Sequence, residues 1–283
     1  MKRILFASII GLVFSSCQKS IDISSDANAN SNSGTVTNTN SGVATTVTAE
    51  TLNKGLLAYY TFSGNAKDLS GNGNDGAVHG AVLVADRVGN ANSAYSFADL
   101  SNAATVNNYI SINNLHVNNV ATYSVTGWFQ KSSTSVNNGG TIFTGDQSVT
   151  GNGDFKFAIA STNTAQWNAK FNSNLSVGVT NQKATNYSDG VWHSFCVTYN
   201  ASTSALHPSN FQIYVDGVLV QTEALYTSEL IQDGATVNTA DLPIILGNAQ
   251  GAHNSGFPGA IDDVRVFNRV LCQAEVTYLA NEK

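Results

Sequence analysis

The residues that could do chemistry in this sequence are few, and two aspartates, one tryptophan and one cysteine stand out among them. Asp262 lies in Ile261-Asp262-Asp263-Val264-Arg265-Val266-Phe267. Strand alternation puts Asp262, Val264 and Val266 on one face and Asp263, Arg265 and Phe267 on the other. Asp262 is therefore expected to continue the core-directed face, where Arg265 cannot neutralise it, and a carboxylate so placed needs a strong partner. Asp68 lies in Asn65-Ala66-Lys67-Asp68-Leu69-Ser70-Gly71-Asn72-Gly73, a loop rich in the hard oxygen ligands that calcium prefers. That loop lacks the alternating acidic positions and terminal Glu of an EF-hand. A second reading is open: Asp68 hydrogen-bonds its own turn, and Asp262 pairs with a lysine or with backbone amides. Trp167, in Thr164-Ala165-Gln166-Trp167-Asn168-Ala169-Lys170, is flanked by polar residues. It is a candidate for stacking on a sugar ring, the alternative being a partly covered loop aromatic.

Other catalytic constellations do not assemble. The five glutamates (Glu50, Glu223, Glu229, Glu275, Glu282) and the five histidines are scattered singly, without zinc-ligand spacing. The sequence holds no Gly-x-Ser-x-Gly elbow, and no glycine-rich phosphate loop leads into a helix. A convergent acid/base pair is missing as well, which disfavours a hydrolase or lyase.

Cys17 belongs to a different feature. Met1-Lys2-Arg3, the apolar run 4–14 and Ser15-Ser16-Cys17 read as a secretory signal of residues 1–16. The apolar run is too short to be a transmembrane helix, which needs roughly 20 apolar residues. The placement of the cysteine resembles a bacterial lipoprotein signal, with Phe14 where leucine is usual, and implies acylation of Cys17. Gln18, where an Asp would favour inner-membrane retention, points to the outer membrane and cell surface. Residues 17–50 then form a Ser/Asn/Thr-rich tether with no aromatic residue, too polar to offset its own ordering entropy. Without Lys2 and Arg3 the rest carries 11 basic and 19 acidic residues, a net charge of −8. A mildly acidic chain without basic clusters argues against nucleic acid as a partner.

From residue 51 to 283 the texture is that of one all-β domain. Strand-like runs fall at 56–62, 109–112, 123–129, 141–143, 155–159, 192–199, 211–215, 218–221, 244–246 and 260–267. Asp216-Gly217 supplies a two-residue hairpin turn between Phe211-Gln212-Ile213-Tyr214-Val215 and Val218-Leu219-Val220. A helix is expected only in the last dozen residues, beginning near Cys272, which caps poorly. Cys196, mid-strand among core residues, reads as a buried free thiol.

Five stretches in order carry a family resemblance. They are Gly55-Leu56-Leu57-Ala58-Tyr59-Tyr60-Thr61-Phe62 with Asp68-Leu69-Ser70-Gly71-Asn72-Gly73-Asn74-Asp75-Gly76, Tyr123-Ser124-Val125-Thr126-Gly127-Trp128-Phe129, Trp192-His193-Ser194-Phe195-Cys196-Val197-Thr198-Tyr199, Ile213-Tyr214-Val215-Asp216-Gly217, and Gly259-Ala260-Ile261-Asp262-Asp263 through Leu271. Over roughly residues 52–281 the chain resembles bacterial laminin-G-like domains of the concanavalin A-like lectin/glucanase superfamily. The resemblance implies a jelly-roll sandwich of two antiparallel sheets, with Trp128 and Trp192 as core aromatics and His193 at a structural position. It also implies a structural calcium held by Asp262 and the N-terminal loop with Asp68. Retaining glucanases of this superfamily set carboxyls about 5 Å apart along one strand, and none of the five glutamates falls in that pattern.

The reading that follows is a non-catalytic surface module that binds an extracellular glycan or mediates adhesion. A structural or protein-interaction module without sugar binding is the alternative, since one fold carries both uses.

Overall fold

The computed structural model describes residues 47–98, 108–113, 115, 122–132, 140–145, 155–159, 165–172, 175–180, 186–200, 211–220, 223–224, 244–248 and 256–283. The signal, Cys17 and most of the tether lie outside the described residues.

Two eight-stranded sheets form the body. Sheet A contains Leu56–Tyr60 (β1), Val82–Val84 (β3), Ala94–Phe97 (β4), Thr122–Lys131 (β6), Trp192–Asn200 (β11), Phe211–Val215 (β12), Val218–Leu219 (β13) and Gly259–Phe267 (β16). Its order is β13-β12-β11-β6-β16-β4-β3, with β1 also paired to β16. Sheet B contains Ala77–His79 (β2), Tyr109–Ile112 (β5), Gly140–Thr144 (β7), Phe155–Ile159 (β8), Ala165–Asn172 (β9), Leu175–Thr180 (β10), Glu223–Ala224 (β14) and Ile244–Leu246 (β15). Its order is β14-β10-β9-β8-β7-β15-β5-β2. The sandwich of antiparallel sheets is the fold that the resemblance implies.

The alternation of each strand explains the layering. In β6, Tyr123, Val125 and Phe129 point into the core, and in β11, Phe195, Val197 and Tyr199 do the same. Phe157 of sheet B stacks on Phe195 of sheet A with ring centroids 4.9 Å apart, which ties the layers together. Asp216 and Gly217 take φ of 52° and 75°, the positive-φ pair that the β12–β13 hairpin requires. Gly247 is needed at the end of β15, because its φ is +80° and an added Cβ would run into the Phe97 ring.

Part of sheet A's outer face is covered by two helices, Ala49–Asn53 (α1) and Gln273–Ala280 (α2). Val47, Leu52, Leu271, Val276 and Leu279 pack there with Cys196, Tyr214 and Phe267 in a second apolar cluster. Val47, four residues before the start of the domain as read from the sequence, is buried in this cluster. Cys196 is a buried free thiol, but it lies beneath the helices rather than between the sheets. The weak cap expected of Cys272 is offset by Glu275, which accepts from the Cys272 N–H at 3.0 Å and is itself gripped by Arg269 at 2.7 and 2.8 Å.

Candidate functional site

The environment of Asp262 departs from simple alternation. Asp262 pairs with Trp128 and Arg265 with Thr126, so two residues of β16 oppose the single Gly127 of β6. This is a β-bulge, and Asp263 within it has φ of +47°. Gly127 leaves room for it, since a Cβ there would lie 3.1 Å from the Asp262 carbonyl oxygen and 2.9 Å from the Phe195 ring. The bulge turns Asp262 onto the outer face of sheet A and returns Val264 and Val266 to the core. Asp262 and Val264 therefore do not share a face, and Arg265 lies on the same side as Asp262, which corrects the alternation argument.

Asp262 is nonetheless only 1% exposed. Its partner is Arg87, whose Nη1 donates to Asp262 Oδ2 at 2.8 Å and to Asp263 Oδ2 at 2.5 Å. Arg87 Nη2 donates to the Glu282 carbonyl at 3.2 Å, and the guanidinium lies 4.6 Å from the centre of the Trp128 ring. Next to it, Arg265 covers the Tyr59 ring at 4.0 Å and pairs with Glu282 at 2.8 Å, while the Tyr59 hydroxyl donates to Asp263 Oδ1 at 3.3 Å. Burial, reinforced by the neighbouring Asp263 charge, pushes the Asp262 carboxyl up to about 7 against the opposing pull of Arg87. One guanidinium shared between two carboxylates compensates them incompletely.

Asp68 is closed in another way. Its Oδ1 accepts from the N–H groups of Tyr59 (3.0 Å) and Ser70 (2.8 Å). Its Oδ2 accepts from the Asn74 N–H (2.9 Å) and the Ser70 hydroxyl (2.8 Å). Burial raises its pKa, but the N–H groups of Asn74, Ser70 and Tyr59 outweigh this and hold it below the ordinary value. Asp68 thus bonds its own turn and β1, with both oxygens saturated, while Asp262 already has a cation. No contact among the described residues joins Asp68 to Asp262, and no group of three or more His, Cys, Asp or Glu among them is arranged for a metal ion. The donor set does not fit the calcium that the resemblance implies.

The two tryptophans expected in the core lie elsewhere. Trp128 and Trp192 are half-buried on the outer face of sheet A, opposite Ser194 and Gln130 respectively. His193 is the inward neighbour, packing 5.6 Å from Phe129 and 5.3 Å from Tyr187. Its Nδ1 meets Asp216 at 2.8 Å and its Nε2 meets Asp189 at 3.3 Å, so both ring nitrogens face carboxylates. Burial lowers the His193 pKa, but Asp216 and Asp189 raise it more, to a net value above normal.

Sheet B presents two unbroken ladders. Val78, Ile110, Leu246, Phe143, Phe157, Trp167, Val179 and Ala224 pair in succession across the sheet, and among their described side chains Ile110, Leu246, Phe143 and Phe157 line the core. Trp167 therefore occupies a strand position in register with core residues rather than a loop; its side chain lies outside the described residues. The other ladder runs Ala77, Ser111, Ile245, Thr144, Lys156, Asn168 and Gly178 on the outer face. Ile245 and Thr144 at its centre are shut off from solvent. At the β2–β5 edge the face opens: His79 and Tyr109 are half-buried and stack with centroids 4.4 Å apart, tilted by 23°. His79 Nε2 lies 3.2 Å from the Ser111 hydroxyl. A half-exposed aromatic pair of this kind can stack on a sugar ring. This pair escaped notice in the sequence, although Tyr109-Ile110-Ser111-Ile112 alternates and sets Tyr109 and Ser111 on the polar face.

A laminin G family model described as the Concanavalin A-like lectin/glucanases superfamily matches residues 104–277. No curated protein matches the chain. Among solved structures it is similar to botulinum neurotoxin type C, which depends on interaction with two ganglioside molecules to enter cells (TM-score 0.59, 16% identity, 83% of this chain and 52% of that one). It is also similar to the binding domain of botulinum neurotoxin DC in complex with rat synaptotagmin II (TM-score 0.57, 17% identity, 81% and 52%). A third likeness is to the binding domain of Paraclostridial Mosquitocidal Protein 1 (TM-score 0.57, 14% identity, 81% and 52%). The chain spans about half the length of each of these structures, and at such identities the likeness is one of fold. With more than half of its length matched by the family model, the chain belongs to the concanavalin A-like lectin/glucanases superfamily.

Proposed function

We propose that this protein is a non-catalytic carbohydrate-binding module held at the outer surface of the cell by a lipid on Cys17. The observation that carries the reading is the stacked His79–Tyr109 pair beside Ser111, on the outer face of sheet B. A sugar ring lies against this pair, whose His79 ring is held in place by Ser111. The fold neighbours support a binding role, since two of them are binding domains and one is a toxin that interacts with gangliosides. The non-catalytic half is supported by the state of the adjacent carboxylates Asp262 and Asp263, which are engaged with Arg87 and face the other sheet's exterior. A free acid/base pair is what hydrolysis would require.

A glycan array probed with the purified protein tests the reading, alongside an assay for reducing ends released from each bound polysaccharide. Binding without release is expected. Release of reducing ends contradicts the non-catalytic assignment. A blank array together with a cross-linked protein partner favours the protein-interaction reading, which the synaptotagmin complex of one fold neighbour also supports. For the anchor, Cys17→Ala is expected to abolish acylation, leaving a soluble protein or an uncleaved precursor. A processed mutant that still partitions into detergent would refute the lipid assignment.

A further inference from the structure

We propose that Arg87 serves as a built-in cation at the position where the family resemblance implies a calcium ion, so that the fold is independent of divalent metal. The argument rests on what converges on one guanidinium. Three oxygen acceptors from two regions of the chain meet it: Asp262 Oδ2 at 2.8 Å, Asp263 Oδ2 at 2.5 Å and the Glu282 carbonyl at 3.2 Å. Carboxylate and carbonyl oxygens are the donors calcium favours, and here a positive side chain already sits among them. The remaining side is closed by the Trp128 indole, 4.6 Å from the guanidinium carbon. An indole gives a metal ion no oxygen ligand, whereas a planar guanidinium stacks on it favourably. The Arg87 side chain is 8% exposed, so the site is largely shut off from bulk water as well. The other half of the implied calcium site is closed independently, because each oxygen of Asp68 already accepts two hydrogen bonds.

The connectivity shows what this internal cation does for the fold. Arg87 lies in the turn between β3 and β4, where Asp86 accepts from the N–H groups of Val88 and Asn90 at 2.9 and 2.8 Å. Through Arg87 that edge hairpin is fastened to β16 and to the C-terminal segment in a single step. A bound metal often performs this stitching in small β domains, but it does so only when loaded. An arginine does it at any metal concentration.

Three measurements on the full protein decide the matter. The melting temperature of the wild type is expected to be the same in excess chelator and in millimolar calcium. Arg87→Met is expected to lower it by on the order of 10 °C, since the buried Asp262 and its partly buried neighbour Asp263 lose their counter-charge. Arg87→Met combined with Asp262→Asn is expected to recover part of that loss, which a merely steric role for Arg87 would not produce. If Arg87→Met fails to fold, Arg87→Lys takes its place and is expected to fold and to melt below wild type. A wild type that melts lower in chelator overturns the proposal, as does a double variant no more stable than Arg87→Met.

Discussion

The outer face of sheet A and the β2–β5 edge of sheet B solve the same problem in opposite ways. A sheet in a sandwich has one face on the core and one that must meet water or something else. On sheet A that second face is largely closed. Helices α1 and α2 cover one part with an apolar cluster, and Arg87, Arg265, Asp262, Asp263 and Glu282 form an ionic belt beside it. On sheet B the outer ladder is built mainly of hydroxyl, amide and small residues, and its β2–β5 edge carries the stacked His79–Tyr109 pair. A face closed by its own chain contributes stability. An edge that leaves aromatic rings half-exposed is arranged for a ligand, so substitutions in the two regions should separate stability from binding.

The largest effect is expected at the ionic belt. Arg87→Met should destabilise the protein by about 3–5 kcal/mol, the usual cost of removing one partner from a buried charged pair, as read from denaturant unfolding. Similar glycan affinity in the fraction that remains folded would support the division of roles. Next comes Gly247→Ala, which joins a positive φ to a collision with Phe97 and should cost roughly 2–4 kcal/mol. An unchanged unfolding midpoint would show that the β15 turn relaxes freely.

Smaller effects follow from titration. The folded-state pKa of Asp262 is raised, so its contribution is fully present below the unfolded value of 3.8 and is lost as pH rises toward about 7. His193 is raised above 6.5, so its clasp on Asp189 and Asp216 stabilises at lower pH and is lost as pH rises through that raised value. Asp68, Asp86 and Asp189 are lowered, and their contributions are present above 3.8 and lost as pH falls below it. Stability should therefore peak on the acid side of neutrality. His193→Gln should flatten the decline as pH rises above 6.5. An identical pH profile in wild type and variant would remove His193 from the account.

Much of this arrangement could be read from the chain, and the parts that could not share a physical cause. Period-2 alternation located most long strands, and Asp216-Gly217 announced its hairpin. It also marked Asp262 as a carboxylate needing a strong partner, but not on which face. A bulge inserts one residue without a sequence mark as plain as a Gly-Gly or Pro, and Asp263 at φ +47° inverted the pattern around it. The partner itself, Arg87, stands 175 residues away, beyond the reach of any local pattern. Trp128 and Trp192 were misplaced for a related reason, because an apolar ring on an outer face looks in sequence like one in the core. The short strands β2, β3, β4 and β14 were missed because two to four residues hold too little periodicity. In β9, however, the alternation of Gln166, Asn168 and Lys170 with Ala165, Trp167 and Ala169 was there to be read. It would have put Trp167 in register with the core ladder and turned attention to the other face.

The smallest stability effect carries the most weight for function. Tyr109→Ala removes a half-buried ring at the sheet edge and should change unfolding by less than about 1 kcal/mol. Affinity electrophoresis of wild type and Tyr109→Ala through gels containing a polysaccharide that the wild type binds tests the central claim most directly. The account predicts that the variant loses most of its retardation, about a tenfold loss of affinity, while melting close to wild type. Equal retardation of the two proteins would contradict it and would show that the outer face of sheet B is not where this domain meets its ligand.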